Sequence, residues 1–131
     1  MPFDVLVFGA PLERTDLLLV LLHGRAVPGN DLENLAEGIL RHVSDRGACA
    51  ATVVLPQGPL AEGLGRSWWE MPAHMDTGSG DMWRPPAALV WDLAATVKDA
   101  AARCPRQPAL VLGGFSQGAV LATHGLAALG S

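Results

Sequence analysis

The sequence has little basic charge: nine Lys and Arg stand against thirteen Asp and Glu, for a net charge of −4. No block or stripe of cations appears, so the electrostatic footprint of a nucleic-acid binder is missing. Long apolar runs are also absent. The longest, Leu17 to Leu22, is six residues, whereas a membrane-spanning helix needs about 20, so no stable membrane insertion is expected. Met1-Pro2-Phe3-Asp4 lacks the charged region and following apolar core of a secretory leader. There are only two cysteines, Cys49 and Cys104, and neither belongs to a CxxC pattern. Reduced, partly buried thiols in a cytoplasmic protein are the expectation, with no metal. Charged residues make up only 17% of the chain while half of it is apolar, which excludes the disordered class and calls for a packed core.

The apolar residues are arranged as an α/β protein. Phe3 to Gly9 alternates weakly and reads as an early strand. Leu17 to Leu22, bounded by Asp16 and by His23-Gly24, has the continuous apolar character of a strand buried on both faces. Leu32, Leu35, Ala36, Ile39, Leu40 and Val43 then make one stripe at the helical period. Asn30 and Glu33 have the spacing of a capping box, which starts that helix near Asp31. Ala50 to Leu55 is strand-like again. A second helix runs from about Pro85 to Cys104, with Leu89, Leu93, Val97 and Ala101 inward. Ala109 to Leu112 is a third short buried strand and leads into a small-residue helix ending near Leu129. Strands separated by helices must run parallel, because only a crossover brings the chain back to the same sheet edge. The fold class expected is therefore α/β, a three-layer sandwich with a mainly parallel sheet. The stretch from Gln57 to Pro86 carries Trp68, Trp69 and Trp83 and shows no clear period. Segments of that length are more often functional than filler.

Chemistry concentrates in Gly114-Phe115-Ser116-Gln117-Gly118, a G-x-S-x-G pentapeptide between a buried strand and a helix. In that context the pattern is a nucleophile elbow: a sharp strand-to-helix turn in which the serine backbone is strained and the positions two before and two after must be glycine. Gly114 and Gly118 occupy those positions. The turn would lift the Ser116 hydroxyl above the sheet and aim the first helical amides at it, where negative charge is favoured. Two other readings exist, a plain Gly-rich turn with Ser116 as a helix cap and a phosphate-cradling loop. The second lacks the Lys and Ser/Thr of a P-loop and the spacing of a dinucleotide fingerprint. His23-Gly24 follows the first buried strand, where hydrolases with such an elbow place their other oxyanion donor. The expected pair is the backbone N–H of Arg25 and that of Gln117. His23 is expected to fix the turn by hydrogen bonds rather than to act as a base.

Four motifs in order, Leu21-Leu22-His23-Gly24-Arg25, Leu55-Pro56-Gln57-Gly58-Pro59, Ser67-Trp68-Trp69 and Gly113-Gly114-Phe115-Ser116-Gln117-Gly118, resemble the phospholipase/carboxylesterase family of α/β-hydrolases, which includes the acyl-protein thioesterases and small bacterial carboxylesterases. The resemblance implies a serine esterase acting on small-molecule carboxylic esters or thioesters without a cofactor. Ser116 would be the nucleophile, the Arg25 and Gln117 amides the oxyanion hole, and Trp68 and Trp69 the lining of an acyl or leaving-group pocket. For the tryptophan pair, an anchor packing the long loop on the sheet is the alternative. Two positions depart from the family pattern: Ala26 and Val27 follow Arg25 where a second glycine is common, and Ala119 stands where another glycine usually follows Ser-Gln-Gly.

The order Ser, then Asp or Glu, then His is usual for the triad of this fold. After Ser116 only fifteen residues remain, with one histidine, His124, and no Asp or Glu. His124 is eight residues along the same helix, roughly 12 Å away at the helical rise, beyond hydrogen-bond reach. His42 and His74 read as surface residues. The expectation is a single incomplete hydrolase domain over residues 1–131, cut after the nucleophile helix, with the Asp and His downstream and the last strand left as an exposed apolar edge. The alternative is a non-catalytic remnant of the fold that binds a small apolar ligand or a partner.

Overall fold

The structure is a computed structural model that describes residues 1–45, 49–71 and 83–130. Strand β1 (Val5–Gly9) and a single 3-10 turn (Leu12–Arg14) lead into β2 (Leu17–Leu22), α1 (Glu33–Asp45) and β3 (Ala51–Pro56). A short hairpin, β4 (Leu60–Glu62) and β5 (Gly65–Ser67), follows, then α2 (Ala87–Ala102), β6 (Ala109–Gly114) and α3 (Gln117–Leu129). The main sheet has the order β1-β3-β2-β6. β2 runs parallel to both β3 and β6, as helical crossovers require. β1 pairs antiparallel with β3 at one edge, Val5 opposite Pro56 and Gly9 opposite Thr52. No helix separates β1 from β2, so nothing compels β1 to be parallel.

Alternation along β2 builds the three layers. Leu18, Val20 and Leu22 point into a core shared with Leu89, Leu93, Val97, Leu121 and Ala122 of α2 and α3. Leu17, Leu19 and Leu21 point the other way, into a core with Ala36, Ile39, Leu40 and Val43 of α1. A strand apolar on both faces is the only kind that can serve two cores at once. Leu35, included in the helical stripe by its spacing, is 53% exposed: it sits at the margin of the stripe, beyond the reach of the sheet. The helix also begins two residues later than the Asn30–Glu33 pair suggests. The Asn30 side-chain amide donates to the Glu33 carboxylate at 3.4 Å, so the pair meets side chain to side chain instead of forming a reciprocal backbone cap. Cys104 is buried with its thiol on the Ala100 carbonyl, whereas Cys49, expected to be partly buried, is exposed; both are free thiols.

β6 lies at the other edge, and its apolar residues Leu110 and Val111 are 39% and 46% exposed. Among the described residues no helix is long and apolar enough to cross a membrane. The hairpin was not evident from periodicity. It turns over Gly63 and Leu64, with Gly63 at φ +59° and Leu64 not at positive φ, the pattern of a two-residue type II′ turn.

Candidate functional site

The topology selects one end of the sheet. After β2 the chain leaves toward α1 on one face, and after β6 toward α3 on the other. Neighbouring parallel strands whose continuations diverge leave a crevice at their carboxyl ends, where α/β proteins bind ligands. Leu22 pairs with Gly114 at that end, so His23-Gly24 and Phe115-Ser116 emerge side by side. A Cβ added to Gly24 would lie 3.6 Å from the Ser116 Cβ.

Ser116 stands at the strand-to-helix turn with φ +54° and ψ −118°, exposed, and makes no cap bond with its own helix. The turn is fixed from several directions. The Phe115 amide continues the β6 ladder onto the Leu22 carbonyl at 3.0 Å, and the Ser116 carbonyl accepts the Ala119 amide at 2.9 Å. Glycine is required on both sides for a simple steric reason. A Cβ on Gly114 would come within 2.5 Å of the Gly118 backbone, and one on Gly118 within 2.3 Å of the His23 carbonyl and 2.4 Å of the Leu22 carbonyl. The first turn of α3 is thus packed directly against the end of β2.

His23 is 2% exposed and both of its ring nitrogens are engaged. The Gly58 amide donates to Nε2 at 3.0 Å. An accepting Nε2 leaves the proton on Nδ1, which donates to the Gly24 carbonyl at 2.7 Å. The ring stacks on Trp68 at 4.8 Å between centroids, and the Trp68 indole N–H donates to the His23 carbonyl at 2.8 Å. This is a neutral imidazole used as a strut. Burial lowers its pKa, partly offset by its bond to Gly24 and by the charge of Asp31. A lowered histidine pKa means that the unfolded chain takes up the proton first, so this contribution to stability is complete above about pH 6.5 and shrinks as the pH falls below it. The difference in unfolding free energy between wild type and His23→Gln is therefore expected to narrow from pH 7 to pH 5. A difference that stays constant over that range would show that His23 is not held neutral.

The sequence predicts for Gln117 a role through its backbone amide alone; its buried side chain has another. Its Oε1 accepts the Trp68 amide at 2.8 Å and its Nε2 donates to the Trp69 carbonyl at 2.9 Å. It thereby fastens the tryptophan segment to the first residue of α3. Trp68 and Trp69 are 2% and 7% exposed; Trp68 is edge-on to Phe3 with ring centroids 5.4 Å apart. Both border an open groove of about 560 Å³ that is also lined by Leu60, Pro86, Leu89 and Asp92. Gln117→Ala strands two buried backbone groups and is expected to cost about 3 kcal/mol, readable by chemical denaturation. A loss under 1 kcal/mol would mean that water replaces the amide without penalty.

The loop after Gly24 explains the departure at Ala26. Ala26 has φ +56°, a left-handed conformation normally given to glycine. Its amide donates to the Ser67 hydroxyl at 2.8 Å, and Val27 exchanges two backbone bonds with Arg66. The amides of Arg25 and Gln117, by contrast, donate to no group among the described residues. Of the other histidines, His42 is exposed in the last turn of α1, His124 is exposed with Nδ1 on the Val120 carbonyl at 3.0 Å, and His74 lies outside the described residues. Among the described residues no three His, Cys, Asp or Glu side chains gather as metal ligands.

The fold has a counterpart among solved structures. The chain is similar to the crystal structure of esterase PE8, with a TM-score of 0.72 and 25% sequence identity. The match covers 94% of this chain and 56% of that one, so these residues span a little over half of the esterase's length. No protein-family model and no curated protein matches the chain.

Proposed function

We propose that this chain is the nucleophile-bearing part of a serine hydrolase that cleaves carboxylic esters or thioesters through an acyl-enzyme on Ser116. The observation that carries the reading is the Ser116 backbone, at φ +54° and ψ −118° in an exposed strand-to-helix turn beside Gly24. Such a conformation costs about 1–3 kcal/mol in a residue with a side chain and persists only where its surroundings over-determine it. The likeness to an esterase supports the same reading.

In this reaction the Ser116 oxygen attacks the acyl carbon as its proton passes to a base, and the carbonyl electrons move onto oxygen. The Arg25 and Gln117 amides donate to that oxyanion. Collapse of the adduct expels the alcohol or thiol with a proton, and water then releases the acid by the same steps in reverse roles. The base and the carboxylate that orients it are assigned to residues outside this 131-residue chain. The lining of the acyl or leaving-group site is given to Trp68 and Trp69 on the resemblance; the groove they border includes no residue of the Ser116 turn in its lining. Membership of the phospholipase/carboxylesterase family belongs to the same proposal and rests on the four ordered motifs, as does a cytoplasmic setting, which rests on the two free thiols. No cofactor takes part in these steps.

A fluorophosphonate probe tests the reading on the native polypeptide that contains these residues. The expected result is a covalent adduct on Ser116, absent from Ser116→Ala. A polypeptide that turns over neither esters nor thioesters and takes no label at Ser116 would favour the second reading, a binding remnant. The observation on that side is that His23 has both ring nitrogens engaged, His124 bonds Val120 on its own helix, and His42 stands exposed in the last turn of α1, on the other face of the sheet from α3.

A further inference from the structure

The loop that carries the Arg25 amide is held by a second, separate device. Arg25 turns its guanidinium away from the sheet to Glu62 of β4: Nη2 donates to Oε1 at 2.7 Å, and Nε donates to both carboxylate oxygens, at 3.0 and 3.2 Å. The same carboxylate accepts the Ser67 hydroxyl at 2.5 Å, and Ser67, fully buried, accepts the Ala26 amide. A hydroxyl has one hydrogen. Because an ionised carboxylate can only accept, Glu62 obliges Ser67 to point that hydrogen toward it and leaves the lone pairs for Ala26. Gly65 completes the arrangement by allowing contact: a Cβ there would lie 2.5 Å from the Val27 carbonyl carbon. The Arg25 and Ser67 bonds also hold the Glu62 carboxyl below its usual pKa, Arg25 first.

An ordinary exposed ion pair adds little. This one joins Arg25, which carries the amide in question, and the next residue, Ala26, to the β4–β5 hairpin, in a loop where Ala26 is kept at φ +56°. We propose that Glu62 is a positioning residue: through the Arg25 side chain and the Ser67 hydroxyl it sets the left-handed Arg25–Ala26 turn that aims the Arg25 amide at the oxyanion. The inference rests on the serine-hydrolase reading and deepens it. Glu62 touches neither substrate nor nucleophile.

Two measurements test it. In the 131-residue chain, amide hydrogen exchange at Ala26 is expected to quicken by about tenfold or more in Glu62→Ala and in Ser67→Ala. In the native polypeptide, Glu62→Ala is expected to lower kcat roughly 10- to 100-fold, short of the 10²–10³ for full loss of a donor, with KM little changed. Ala26→Gly added to Glu62→Ala should restore part of kcat, because glycine adopts that turn unaided. Unchanged exchange at Ala26 overturns the proposal whatever the activity. Ser116-dependent turnover with kcat unaltered in Glu62→Ala overturns it and leaves the serine reading standing. Turnover that survives Ser116→Ala overturns both.

Discussion

Expressed alone, the 131-residue chain is expected to hydrolyse a short-chain aryl ester no faster than its Ser116→Ala variant. A serine hydroxyl is a weak nucleophile at neutral pH until a base takes its proton as the new bond forms. In well-studied hydrolases losing the serine or its histidine costs about 2 × 10⁶ in kcat. An intact oxyanion site alone retains on the order of 10³–10⁴ over water, and a Ser116→Ala variant keeps that portion too. Here His23 is committed to Gly24 and Gly58, and His124 faces its own helix. On the proposed reading Ser116 would attack, and neither His23 nor His124 is placed to activate it. Initial rates of the two proteins at equal concentration decide the matter. Brisk turnover dependent on Ser116 would reveal a base within these residues, and His74 would be the first to replace.

The second large effect is structural. Gly118→Ala is expected to destabilise the domain by about 3 kcal/mol or more, because overpacking against backbone cannot be relieved by a rotamer change. Its Cβ would sit 2.3 Å from the His23 carbonyl, so α3 would have to withdraw from β2 and carry Ser116 away from Gly24. Gly114→Ala meets the Gly118 backbone at 2.5 Å and should behave alike. Gly38→Ala is the control of opposite sign. Nothing lies within 4 Å of its Cβ, and alanine in a helix interior is favoured by about 0.5–1 kcal/mol. Thermal unfolding should lower the midpoint for the first two variants and raise it for the third. A Gly118→Ala protein that melts with the parent would refute the tight α3–β2 junction.

The sequence made much of this architecture legible because two signals agreed. The doubly apolar run of β2 and the heptad-like spacing of α1 both come from burial against a sheet, and the G-x-S-x-G glycines answer to contacts the turn itself creates. The hairpin β4–β5 escaped notice because strands of three residues are too short for alternation to register. Gly63 was its only local mark. The antiparallel pairing of β1 depends on a partner, β3, more than forty residues away, and its own weak alternation carries no information about direction. The bonds at the site were equally hidden. Gln117 meets Trp68 and Trp69 across 49 and 48 residues, and Arg25 meets Glu62 across 37. Each side chain is unremarkable in its own segment. Ala26 is the instructive intermediate: the missing glycine was visible as a departure, but only the backbone at φ +56° gave it a meaning.

The grip of Gln117 has a consequence for how such a protein can change over generations. It holds the main chain of Trp68 and Trp69, reading one amide and one carbonyl and no feature of either indole. Trp68 is further committed, since its ring rests on His23 and its indole N–H is spoken for. Trp69 is buried in the same core, so its side chain is held by packing while Gln117 holds its carbonyl. A lineage that varied either indole would keep the Gln117 tie, which reads main chain alone, and would have to refill core volume in the same step.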